Sequence, residues 1–334
     1  MRRALTGLVA AAVAVGSVAA AWAVTRDGAD GRGPVTAAVD AVPLGAGTVD
    51  VTVWQRLPGS VDDAVLRDLS TRSVVAPLDD ELRERFGWSV TDLGWETYAR
   101  TPEGGVVVLG LGDLDAGEVD EAFGSVADRD GSGWRIKDAS GASSSFAATF
   151  AHVRVLRAQH VLVAGETAEA LTATVATVRG RERSLLADPR VRDLLDGVRD
   201  ADAFWLQRRE ALCAEDRVEG DEATAVRRVE AQNSRLVDPV WGLRAIVDRP
   251  ERRLAFGTAF ATPSVAREQA LVREALTRGP FIGRGGAVAE QLVDLRATVD
   301  GSAVLLDLAT TDDTEDLMSD VGPVVFAGCA VPRS

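Results

Sequence analysis

The chain has 334 residues, enough to bury a large core, and its 46% hydrophobic and 26% charged content is that of a globular protein and not of a disordered one. A net charge of −14 argues against binding to nucleic acid and against adhesion to anionic lipid headgroups. Lys137 is the single lysine among 37 basic residues, Asn233 the single asparagine and Tyr98 the single tyrosine. Such a bias reflects GC-rich codons, so the abundance of arginine is not read as a binding device.

Arg2-Arg3 precede an uncharged run from Ala4 to Val24, whose 21 residues would span about 31 Å as a helix, close to the hydrocarbon thickness of a bilayer. The two arginines place the start on the cytoplasmic side and everything after Val24 outside. Residues 1–24 therefore read as a signal sequence or a signal anchor. Ala21-Trp22-Ala23 fits a small-x-small cleavage site, so a single-pass anchored form and a secreted form cleaved after Ala23 both stay open. Cys213 and Cys329 are the only cysteines. In an exported chain such a pair is expected to form a disulfide, two buried thiols being the alternative.

Residues 25–47, rich in Gly, Ala, Pro and Asp and without hydrophobic periodicity, predict a flexible linker. Thr48 to Trp54 alternates as a first strand, and Asp62 to Arg72 and Leu78 to Phe86 carry short helical patterns. A strand–turn–strand–helix pattern then appears four times. The first unit pairs Trp95 to Ala99 with Val106 to Leu109 and starts its helix at Asp115. His152 to Val178 supplies the second, with Gly165 breaking the return strand, Thr167 capping the helix, and Leu171, Val175 and Val178 forming its buried stripe. Leu243 to Val247 and Leu254 to Phe260 make the third, whose helix opens at Thr262-Pro263. The fourth turns at Asp300-Gly301 between Leu295 to Val299 and Val304 to Leu308, with a helix expected over Thr311 to Val321. Between the second and third units, Asp188-Pro189 caps a helix bearing Val191, Leu194, Leu195 and Val198 on one face, and Phe204-Trp205-Leu206 reads as a strand.

The pattern predicts an α+β fold of two related halves, residues 48–207 and 240–329. Each half is an antiparallel sheet from two such units with helices on one face, and a charged helical bridge, residues 208–239, joins them.

Phe86-Gly87-Trp88, Trp95-Glu96, Cys213 before a charged helix, and the ending Gly322-Pro323-Val324-Val325-Phe326-Ala327-Gly328-Cys329 carry a resemblance. With these markers the chain resembles an uncharacterised group of exported or membrane-anchored proteins from high-GC Gram-positive bacteria. The resemblance implies an anchor-plus-ectodomain layout and pairing of Cys213 with Cys329. It brings no catalytic residues.

No catalytic, cofactor-binding or metal-binding residue is assigned from the sequence. His152 and His160 flank a strand without the further ligands a zinc site needs. A serine hydrolase would need one of them beside a serine and a carboxylate, and Ser140 to Ser145 lacks the nucleophile-elbow spacing. Phe281 to Ala287 misses the phosphate-loop pattern, and Asp128 to Gly131 lacks the later oxygen ligands of a calcium loop. Two acidic clusters, Asp113 to Glu121 and Asp312 to Asp316, sit at helix starts, where the dipole favours them. If two or three of Trp54, Trp88, Trp95, Trp134, Trp205 and Trp241 shared an exposed face, they would form a contact site. These features predict a non-catalytic extracytoplasmic module, meeting an envelope protein or a cell-wall partner and needing no cofactor. A hydrolase using His152 or His160 is the alternative.

Overall fold

The computed structural model describes residues 33–57, 73–137, 141–215, 235–247, 253–279, 288–310 and 326–329. Among them twelve strands form one antiparallel sheet, ordered β11-β12-β10-β9-β8-β1-β2-β3-β7-β6-β5-β4, accompanied by eight α-helices. In chain order the strands are β1 (Thr48–Thr52), β2 (Trp95–Thr101), β3 (Gly104–Gly110), β4 (Ala127–Asp130), β5 (Gly133–Ile136), β6 (His152–Leu156), β7 (Val161–Gly165), β8 (Ala203–Arg208), β9 (Trp241–Val247), β10 (Arg253–Ala259), β11 (Leu292–Asp300) and β12 (Ala303–Thr310). The helices are α1 (Pro34–Asp40), α2 (Asp79–Phe86), α3 (Ala116–Ala122), α4 (Ser144–Thr149), α5 (Ala168–Val178), α6 (Pro189–Asp196), α7 (Arg209–Glu215) and α8 (Pro263–Leu276).

All four expected hairpins form, each antiparallel. In two blocks, β2-β3-β7-β6 and β9-β10-β12-β11, the return strands of successive units lie side by side. The sequence placed these blocks in two separate sheets. Instead β1 and β8 join them into one, because β1 pairs β2 on one side and β8 on the other.

The arrangement of helices also differs from expectation. Strands alternate sides, so Val106 and Val108 of β3 face one way and Val107 and Leu109 the other. Both parities are apolar, and each face needs its own cover. On the first face, α5 packs Ala170, Leu171 and Val175 against Val106, Val108, Val161 and Val163, while α6 places Val191, Leu194 and Leu195 in the same core. The second face carries two separate cores. One, under α2, α3 and α4, joins Leu82, Val119 and Phe146 to Val107, Leu109 and Leu162. The other, under α8, joins Ala266, Ala270 and Leu276 to Leu254, Phe256 and Leu306. Helices of the first two units thus lie on opposite faces, not on one.

Thr167, Asp188 and Thr262 cap α5, α6 and α8 through side-chain oxygens, as their positions predict. The linker expectation fails over residues 33–47. Pro34 starts α1, whose Val35, Ala38 and Val39 are buried, and Val42 and Ala46 follow them into the first core. Of the bridge, α7 lies against β8 and β9, with buried Leu212 over Gly242. Among the described residues no helix is long and apolar enough to cross a membrane. The run Ala4 to Val24, the pattern at Asp62 to Arg72, the loop Phe281 to Ala287 and the helix expected at Thr311 to Val321 lie outside the described residues.

Candidate functional site

A band of polar side chains crosses the second face between its two apolar cores. It arises from the alternation of β1: Val49 and Val51 point into the first core, which sends Thr48, Asp50 and Thr52 to the second face. The register sets their neighbours. Asp50 lies opposite Tyr98 and Trp205, and Trp205 opposite Arg244; Thr52 faces Glu96, and Thr48 faces Arg100 and Gln207. Arg244 is buried with its guanidinium 5.7 Å from the Trp205 ring centre, and Arg100 lies 5.6 Å from the Tyr98 ring. Asp50, Trp205, Gln207 and Arg244 make further interactions, so this floor is engaged.

At one end of the band, Arg100 Nη1 lies 3.4 Å from Glu166 Oε2, which also accepts the Gly105 N–H at 2.9 Å. Gly105 leaves the space above the strand that the Glu166 carboxylate occupies. Burial raises the Tyr98 phenol above its ordinary value; Arg100 opposes this, and Glu166 and Asp50 add to it.

At the other end sits Glu96, only 1% exposed. Its Oε2 accepts from Ser73 Oγ at 2.6 Å and Trp54 Nε1 at 3.2 Å, and its Oε1 from the N–H groups of Val74 and Val75 at 2.9 and 3.3 Å. Ser73 Oγ itself accepts from the N–H groups of Val75 and Ala76, which leaves its hydroxyl hydrogen for Glu96. Burial pushes the carboxyl up to about 7, against the pull of these four donors. Above that pH a carboxylate with four donors clasps residues 73–76 to the sheet. All four partners are internal, which makes Glu96 a structural group.

The core under α8 carries another clasp. Cys213 and Cys329 are disulfide-bonded, with Cα atoms 5.3 Å apart across 116 residues of sequence. Beside them, Arg273 is fully buried, giving Nη1 to the carbonyls of Phe326 and Gly328 at 2.9 and 3.0 Å and Nη2 to that of Val237 at 2.9 Å. Asp238 approaches both sulfurs closely enough to share a metal ion with them, and it is ion-paired to Arg209 at 3.0 Å. Sulfurs bonded to each other offer no thiolate ligand.

The structure separates the other sequence candidates. His152 opens β6 opposite Gly165, whereas His160 lies in the turn between β6 and β7, exposed, in the left-handed region at φ 55°, with Nε2 3.0 Å from the Gly112 carbonyl oxygen. Among the described residues neither is hydrogen-bonded to a serine or a carboxylate. Ser140 lies outside them; Ser143 caps α4 and donates to Glu81. Asp115 caps α3 with its carboxylate, and the N–H groups of Glu118 and Gly117 hold it below its ordinary value. Asp128 to Gly131 form the tip of the β4–β5 hairpin. The six tryptophans among the described residues are all buried, so they form no exposed aromatic face of the kind a contact site would need. Trp134 donates its Nε1 to Asp120 at 2.8 Å under the Arg129 guanidinium.

Sequence reasoning missed the polar band and the Glu96 clasp. The signal available was Glu96 itself, an acid near the start of a strand, directly after Trp95 and on the parity opposite Trp95 and Thr97. No protein-family model, curated protein or solved structure matches the chain.

Proposed function

We propose that the protein is a non-catalytic extracytoplasmic module of the cell envelope, held by its amino-terminal segment or released by cleavage after Ala23, and serving as a binding or accessory domain for an envelope protein or cell-wall partner. The observation that carries the reading is how the buried ionisable groups are used. Glu96 and Arg273 are committed to backbone groups of segments that close the fold, and the two histidines stand at opposite ends of one hairpin. Pairing of the only two cysteines agrees with an oxidising compartment. The matching strand order of the two blocks supports descent of the architecture from two related halves, fused through β8 and β1. The markers shared with exported proteins of high-GC Gram-positive bacteria point the same way.

Location is tested by treating intact cells with a membrane-impermeant protease. The domain should be digested without lysis, and protection until lysis would overturn the placement. Catalysis is tested by incubating the purified full chain with chromogenic ester, peptide and phosphoester substrates. Turnover lost in His152→Ala or His160→Ala would establish the hydrolase reading in its place.

A further inference from the structure

The two ends of the sheet are finished differently. At one end β4 is four residues long and exposes Asp128, Arg129 and Asp130, so brevity and charge blunt it against strand addition. At the other, β11 runs nine residues with β12 on one side and no described strand on the other. The described residues expose four large apolar side chains, Val237, Leu271, Val293 and Val299; two belong to β11 and one to α8, the helix packed against it. From Asp294 onward the pairing with β12 is regular. Leu295 and Ala297 turn toward the α8 core, which leaves Asp294 and Arg296 on the opposite face, ion-paired at 3.3 Å.

We propose that β11 is the contact surface for a second copy of this chain, which pairs its own β11 antiparallel about a two-fold axis at Leu295. That register sets Leu295 against the partner's Leu295. It also sets Asp294 against the partner's Arg296, and Arg296 against the partner's Asp294. Four charges then alternate in sign on one face, with apolar contact on the other. The next register, centred on Arg296, would oppose two arginines, and the one centred on Ala297 would oppose Asp294 to the partner's Asp300. Charge therefore disfavours both. An axis at Thr298 would also oppose Arg296 to the partner's Asp300, and Asp294→Arg separates the two registers, because only the axis at Leu295 places position 294 opposite a charge. Pairing slips between Leu292 and Asp294, which keeps the regular ladder short and the dimer weak and reversible.

The test is sedimentation velocity of the full chain in detergent across the micromolar range. Wild type should dimerise. Asp294→Arg opposes arginines at both central pairs and Arg296→Asp opposes aspartates there, so each variant alone should be monomeric, with a Kd weaker by at least about tenfold. An equimolar mixture of the two variants restores opposite charges at both pairs, and the dimer should return, which also shows that both variants fold. Wild type that stays monomeric overturns the proposal and leaves the edge to a segment of the same chain or to a different protein. So does a dimer that neither variant weakens, because its contact then lies elsewhere. A mixture that stays monomeric overturns the register.

Discussion

In the block β2-β3-β7-β6 the segment closing the second face, residues 73–76, is held by a buried carboxylate; in β9-β10-β12-β11 the corresponding segment, 326–329, is held by a buried guanidinium and a disulfide. Both segments are irregular, so their backbone groups have no ladder to join and need side-chain partners once buried. What differs is the polarity presented to the core. Residues 74 and 75 present N–H groups, which require an acceptor, and Glu96 supplies one. Residues 326 and 328 present carbonyls, which require donors, and Arg273 supplies them. The sign of the buried charge follows from the direction in which the backbone arrives. The carboxyl titrates near neutrality, whereas the guanidinium keeps its charge.

Three substitutions test whether acceptor and donor play these opposite parts. The largest effect is expected at the covalent clasp. A cross-link over 116 residues restricts the unfolded chain by about 4–5 kcal/mol as an upper figure, so Cys329→Ser should lower the melting temperature and open the carboxyl-terminal segment to protease. An unchanged melting curve would mean that Arg273 alone closes the second block.

Next is Glu96. Its folded-state pKa is raised from 4.5 to about 7, so its protonated form favours folding; that stability is fully present below pH 4.5 and is lost as pH rises through about 7. The loss is on the order of 3 kcal/mol. Glu96→Gln cannot ionise, so urea midpoints of wild type should fall more steeply than those of the variant between pH 4.5 and 7.5. Parallel curves would show that the clasp does not titrate, and the contrast with Arg273 would disappear.

The smallest effect is expected from Trp54→Phe, which removes one of the four donors to Glu96 while keeping an aromatic ring. It should cost about 1–2 kcal/mol above pH 7 and less in acid, where the carboxyl is neutral. Equal losses at both pH values would assign the effect to packing.

Legibility in the sequence followed locality. The hairpins turning at Asp300-Gly301 and between Leu156 and Val161 were readable because strand alternation and the turn lie within one short window. So were the caps at Thr167, Asp188 and Thr262. The β4–β5 hairpin was not, because Asp128, Arg129 and Asp130 are all exposed at the sheet's end and leave no apolar alternation. Helix α1 was hidden by its seven small residues within a Gly- and Ala-rich stretch. The clasp at Glu96 joins residues more than twenty apart by backbone groups, which carry no side-chain signature. The faces chosen by α3 and α5 depend on which side still lacked cover, a property of the assembled sheet.

The seam between β1 and β8 also bears on how the chain assembles in time. Val51 and Phe204 are partners in register, although about 150 residues of chain separate them. Contacts of that span carry a heavy loop-closure cost and slow folding. Synthesis delivers β2, β3, β6 and β7 early, and they can pair among themselves while one side of β1 waits for a strand not yet made. Until β8 arrives, that side is an open edge through which unfinished copies can associate. The cysteine at position 329 is made later still, so its bond to Cys213 can form only once β8 is already available to close the seam.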